Sequence, residues 1–118
     1  EKAMSESDLH ISTQDKKSQT TVKLAGQIDA KAAPNLNHKL HELINQGKTN
    51  LILDMGGVDY ISSAGIGTFL AITKAVKGQG GQMILAGVID EVQDVFDLLK
   101  IDQVFTFAPS VAAAEKKL

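Results

Sequence analysis

The chain has 118 residues, enough for one compact domain with its own core and little more. Apolar residues make up 43% and charged ones 22%, with no cysteine and no tryptophan, which excludes disulfide frameworks, thiolate metal centres and cysteine nucleophiles. The formal net charge is −2 and all 12 cationic residues are lysine, so neither a basic nucleic-acid face nor bidentate guanidinium recognition of phosphate is expected.

Residues 1–8 are polar and read as a disordered N-terminal segment ahead of a single domain over 9–118. They lack the basic start and apolar centre of a signal peptide. No apolar run approaches the roughly 18 residues of a membrane span, and the cytoplasm is the default location. Leu9, Ile11 and Thr13 alternate with polar residues as in a half-buried strand, and Asp15-Lys16-Lys17-Ser18 reads as a turn. Thr20, Val22 and Leu24 alternate again, so 19–27 is expected as the second strand of a hairpin. Asp29 is placed to cap a helix in which Ala33, Leu36, Leu40, Leu43 and Ile44 recur at helical spacing, with Pro34 in its first turn and Gly47 at its end.

The run over 50–55 is apolar without alternation, as in a strand covered on both faces, and Gly56-Gly57 is expected to break it. A helix follows Ser62-Ser63, with Ile66, Phe69, Leu70, Thr73 and Val76 on its inner stripe, and Gly78, Gly80 and Gly81 form a loop. Then come a strand over 82–86, a helix over 91–99 striped by Val92, Val95, Phe96 and Leu99, and a strand over 104–107. Pro109-Ser110 opens a last helix over 111–117. The order β-β-α-β-α-β-α-β-α implies an α/β fold: a small mixed, mostly parallel sheet with an N-terminal hairpin, packed against about four helices.

The chemistry of interest lies in Leu51 to Leu70, LILDMGGVDYISSAGIGTFL. A strand ending in an acid, Asp54, leads through Tyr60-Ile61 to Ser62-Ser63-Ala64-Gly65 at a helix start. A helix start leaves backbone N–H groups unpaired and carries the positive end of the helix dipole, so a phosphoryl group added there is stabilised. It also puts nearly two negative charges on a surface that can bind a partner. Capping is the commoner use of serine at such a place, and by capping chemistry Ser62 and Ser63 are equal candidates.

The segment resembles the signature of the STAS domain, the fold of bacterial anti-sigma factor antagonists. In that family a strand ending in Asp is followed by an aromatic residue, a hydrophobic residue, then Asp-Ser-Ser/Thr-Gly-Leu-Gly. Here Tyr60-Ile61-Ser62-Ser63-Ala64-Gly65-Ile66-Gly67 stands in that place, and Leu24-Ala25-Gly26-Gln27-Ile28-Asp29 resembles the family's stretch before its first helix. Ser62 stands where the family has Asp, and Ala64 where it has a second hydroxyl. The resemblance implies a phosphoacceptor at Ser63, with Ser62 as the alternative, and a partner-binding surface of Asp29, Asp54, Tyr60, Ser62, Ser63, Ala64, Gly65 and Ile66. It implies a partner-switching regulator, not an enzyme. The unmodified form binds an anti-sigma factor that is also a serine kinase, phosphorylation releases it, and a metal-dependent serine phosphatase resets the cycle. The alternative implied by the same family is a non-switching STAS subunit of a stress-signalling or transport-associated complex. No cofactor, nucleic acid or direct membrane contact is expected, and the chain is expected as a monomer or weak dimer.

Other constellations are weaker. His38 and His41 share a predicted helix face, but only Glu42 is near to complete a metal site, and a solvated face is the simpler reading. The Gly78–Gly81 stretch follows a helix and precedes a strand, the wrong order for a phosphate loop. Ser63 has Ile61 two residues before it, where a nucleophile elbow needs glycine. Asp54 and Asp59 could pair, but Asp54 fits better as an acid that hydrogen-bonds the following loop. The surface around Ile66 and Phe69 is a candidate exposed face for a partner.

Overall fold

In the computed structural model, which describes residues 9–118, the alternating pattern near the N-terminus folds as a hairpin. β1 (His10–Lys16) runs antiparallel to β2 (Gln19–Ile28), with Lys16 opposite Gln19. The turn is therefore only Lys17-Ser18, and Asp15 and Lys16 belong to the strand. The disordered segment expected over 1–8 lies outside the described residues.

α1 (Ala33–Asn45) buries Ala33, Leu36, Leu40, Leu43 and Ile44, with Pro34 in its first turn. Its end is closed by Gly47 N–H donating to Ile44 O (2.9 Å) and Lys48 N–H to Leu43 O (3.0 Å), a Schellman arrangement. Asp29 does not cap this helix. Its Oδ1 accepts from Ala32 N–H at 2.8 Å, which closes the turn before the helix begins.

β3 (Asn50–Ile61) corrects a sequence expectation, because Gly56-Gly57 does not break the strand. β3 pairs in parallel with β2 along its whole length, and two register shifts, between Lys23/Ala25 and Gly26/Gln27, absorb the extra residues as bulges. Gly57 passes so near β2 that a Cβ on it would lie 2.9 Å from Ala25 Cβ. Gly57 keeps the strands close, and the pair does not turn the chain. Leu51, Ile52 and Leu53 are fully buried, as an unalternating run between two layers requires.

α2 (Ser63–Gly78) takes in Gly78, expected in the loop, and is followed by β4 (Gln82–Ala86), α3 (Asp90–Leu98), β5 (Thr106–Ala108) and α4 (Val111–Lys117). β5 starts two residues later than its pattern suggested, because Val104 closes a turn onto Ile101 O.

The strands lie in the order β1-β2-β3-β4-β5, parallel from β2 onward. Crossovers between adjacent parallel strands share one hand, which puts α1, α2 and α3 on the same face. There Val22, Leu24, Leu53, Phe69, Ile72 and Phe96 form the main core. The core also holds an aromatic cluster, with Phe96 edge-to-face on Phe105 (5.2 Å) and Phe107 (5.5 Å). α4 covers Ile52, Ile84, Ala86 and Ala108 on the other face. Leu70 and Leu99, expected on inner stripes, are exposed. Leu70 is out of phase with Phe69 and Thr73, and Leu99 falls just past the end of α3.

Candidate functional site

Three contacts set the start of α2. Ser62 N–H donates to Ile28 O at 2.8 Å, tying the helix start to the end of β2. Ser62 Oγ accepts from Gly65 N–H at 3.2 Å, and Ser62, with extended backbone, is the N-cap. Gly65 then lies directly on the sheet: a Cβ there would stand 2.6 Å from Ile28 Cγ2 and 3.0 Å from Ile61 Cγ1. Only glycine lets the first turn of α2 approach β2 and β3 so closely.

The two serines, equal by capping chemistry, are therefore unequal in the fold. Ser62 is half-buried and its oxygen is engaged. Ser63 is the first helical residue, is exposed, and makes no side-chain hydrogen bond among the described residues. The first turn of α2 carries no acidic residue, so the helix itself sets no charge against an added anion. Ser62 keeps the cap without the charge that an aspartate would bring.

Around Ser63 the fold gathers Ala64, exposed beside it, Tyr60, exposed on the strand leading in, and Asp29, which directly follows the Ile28 carbonyl that holds Ser62. Gly65 and Ile66 are buried and support this surface from beneath. The expected exposure around Ile66 and Phe69 is not found, since both side chains point into the core. The outward stripe of α2 is instead Ser63, Gly67, Leu70, Ala71 and Lys74, an almost uncharged face. Sequence reasoning missed it because it placed Leu70 inside.

Asp54 is not part of this cluster. It pairs in register with Lys23, and Ile61 with Ile28, so the five residue steps along β2 between those levels separate Asp54 from the start of α2 by about 16 Å. Asp54 Oδ1 accepts from Gly56 N–H at 3.3 Å, the local role expected for it, though within a continuing strand rather than at its end. Its carboxylate lies on the α4 side of the sheet, in a polar groove of about 430 Å³ with Thr21, Lys23 and Glu115.

His41 Nδ1 lies 2.9 Å from Asn37 O and His38 Nε2 lies 3.5 Å from Glu42, so these residues serve their own helix. Among the described residues no group of three or more potential ligands converges on a metal-sized site, and no helix is long and apolar enough to cross a membrane.

The STAS domain family model matches residues 10–114. The anti-sigma-B factor antagonist of Bacillus subtilis is 32% identical over 91 residues, which cover 77% of this chain and 83% of that protein. An anti-sigma factor antagonist from Mycobacterium paratuberculosis has the same fold, with a TM-score of 0.86 at 17% identity over 98% of this chain and 97% of that one. The Bacillus cell fate determinant SpoIIAA, solved in its phosphorylated form, superposes with a TM-score of 0.71 at 19% identity over 92% of this chain and 100% of its own. These relatives bear the names of regulators, not of enzymes.

Proposed function

Because the chain belongs to the STAS domain family, we propose that it is an anti-sigma factor antagonist whose binding is switched at Ser63. The observation that carries this reading is the division of labour at the start of α2. Ser62 is consumed as the cap, while the Ser63 hydroxyl stands free on an acid-free helix N-terminus.

In the unmodified state the neutral outward face of α2, with Tyr60 and Asp29 beside it, docks on an anti-sigma factor and so releases the sigma factor. That anti-sigma factor is also an ATP-dependent serine kinase. In-line transfer forms the Ser63 Oγ–phosphorus bond as the bond to ADP breaks, and the hydroxyl proton passes to the kinase's base. The product adds nearly two negative charges in the middle of a contact surface whose helix face held none. Each ~1.4 kcal/mol of repulsion and lost desolvation weakens the complex tenfold, so a few kcal/mol is sufficient for release. The helix N–H groups that face the phosphate hold it without unfolding the domain. A metal-dependent serine phosphatase returns the hydroxyl.

The test is incubation with the cognate kinase and Mg-ATP followed by intact-mass spectrometry. One phosphoryl group is expected on the wild type and on Ser62→Ala, and none on Ser63→Ala. No incorporation by a kinase that phosphorylates its own known substrate would reject the switch. A phosphatase-indifferent complex would then favour the non-switching subunit.

A further inference from the structure

Among the described residues the two most exposed of the large hydrophobic side chains are not at the switch. Leu98 is 81% exposed, Leu99 52% and Val104 44%. Val95, Leu98 and Leu99 are spaced three and four apart, so they form one ridge at the C-terminal end of α3. Val104 is held near that end by the turn in which Ile101 N–H donates to Phe96 O (3.1 Å) and Val104 N–H to Ile101 O (3.0 Å). Isolated exposed leucines are ordinary, but adjacent ones framed by polar residues mark interaction sites.

The frame is acidic. Glu91, Asp94 and Asp97 stand on the exposed side of α3, and Asp102 follows it, with Lys100 the one cation in this stretch. Among the described residues none of these four carboxylates has a cation within 4 Å, and the ion pairs all lie elsewhere, on β1, α1 and α4. An apolar ridge inside an unneutralised acidic rim repels nucleic acid and anionic lipid and suits a cationic partner. A ridge of this length, with anchors at helical spacing, fits a helix that presents leucines flanked by lysine or arginine.

α3 follows the C-terminal end of β4 and runs back towards the start of β5, whereas α2 begins at the C-terminal end of β3. The ridge and Ser63 therefore lie at opposite ends of the sheet. We infer that Val95, Leu98, Leu99 and Val104 form a second docking surface, for a basic amphipathic helix of another protein, independent of the switch. A second partner, or a second segment of the same one, thereby stays attached while Ser63 changes state.

The probe is a synthetic helical peptide with leucines at i, i+3, i+4 and i+7 and lysines on its flanks, compared with the same peptide flanked by glutamates. Titration into the labelled domain, followed by amide chemical shifts, should show binding of the lysine peptide with perturbations centred on 95–104. Leu98→Ser, at a site too exposed to affect folding, should weaken binding at least about tenfold. Asp94→Lys with Asp97→Lys should invert the preference between the two peptides. Raising the salt should weaken binding, and Ser63→Asp should leave it unchanged. Equal binding of both peptides, no binding at about 1 mM, or perturbations centred on α2 would overturn the proposal. Concentration-dependent self-association of the wild type that Leu98→Ser abolishes would overturn it in favour of a second copy. The Ser63→Asp arm keeps the test separate from the switch, which can fail without touching this surface.

Discussion

Replacing Ser62 and Ser63 separately by alanine should split two residues that are neighbours in sequence and identical in type. Ser62→Ala removes the acceptor for Gly65 N–H, and Gly65 is buried, so water cannot readily take its place. Loss of a serine cap costs about 1 kcal/mol within a range of about 0.5–2, and the burial of the orphaned donor puts this case near 1.5. A domain of this size unfolds with an entropy near 0.25 kcal/mol/K, so the melting temperature should fall by about 6 °C. Ser63→Ala removes an exposed hydroxyl from the first helical position and leaves alanine, the best helix former, so its change should stay within about 0.5 kcal/mol, or 2 °C. Ser62→Asp should keep wild-type stability, because aspartate caps as well as serine and suits the dipole. Thermal melts by far-ultraviolet circular dichroism measure all three. Equal destabilisation by the two alanines, or a larger effect at Ser63, would refute the assignment of cap and free hydroxyl on which the switch rests.

Gly65→Ala forces a methyl against Ile28 and Ile61 and should cost about 1–3 kcal/mol by chemical denaturation. Ser63→Asp should raise stability by about 0.3–1 kcal/mol through the helix dipole while weakening the anti-sigma complex by at least about tenfold, two effects of opposite sign read by melting and by calorimetry. Lys100, at φ 60°, ends α3 in the left-handed region, and Lys100→Gly should stabilise the domain by about 1 kcal/mol in the same melts. The Lys48 ammonium, 2.8 Å away, and then the Thr20 hydroxyl hold the Asp15 carboxyl below its ordinary value. The stabilisation this gives is complete above about pH 4, where the unfolded chain's aspartate is also ionised, and is lost as the pH falls through the lower folded value. An acid titration of stability for Asp15→Asn should therefore differ in shape from wild type only below about pH 4.

The element order was legible because each helix carries a 3.6-residue stripe and each strand a two-residue or fully apolar one. β4 and α4 fall on their expected residues. Gly56-Gly57 misled because a glycine pair marks a turn and a bulge equally well, and only the parallel partner decides between them. Leu70 and Leu99 misled because a stripe in sequence does not say where a helix stops or how wide its buried arc is. At the site, the cap position of the serine pair was readable and the family resemblance favoured Ser63, but the physical reason for their inequality was not in the sequence. It depends on which oxygen meets Gly65 N–H, which follows from the bond between Ser62 and the Ile28 carbonyl across the sheet. Asp54 entered the expected surface through the family resemblance, and the length of β3 sets it about 16 Å from the start of α2.

β3 has β4 as a partner only up to Asp54, which meets Ala86, and beyond that point it is held by β2 alone. Amide exchange should follow this boundary, with Leu51 to Leu53 protected up to global unfolding and Val58 to Ile61 released at a lower opening energy. The segment that leads into Ser62 and Ser63 is thus hydrogen-bonded to the sheet on one side only, and the buried Val58 and Ile61 side chains anchor it to the core instead.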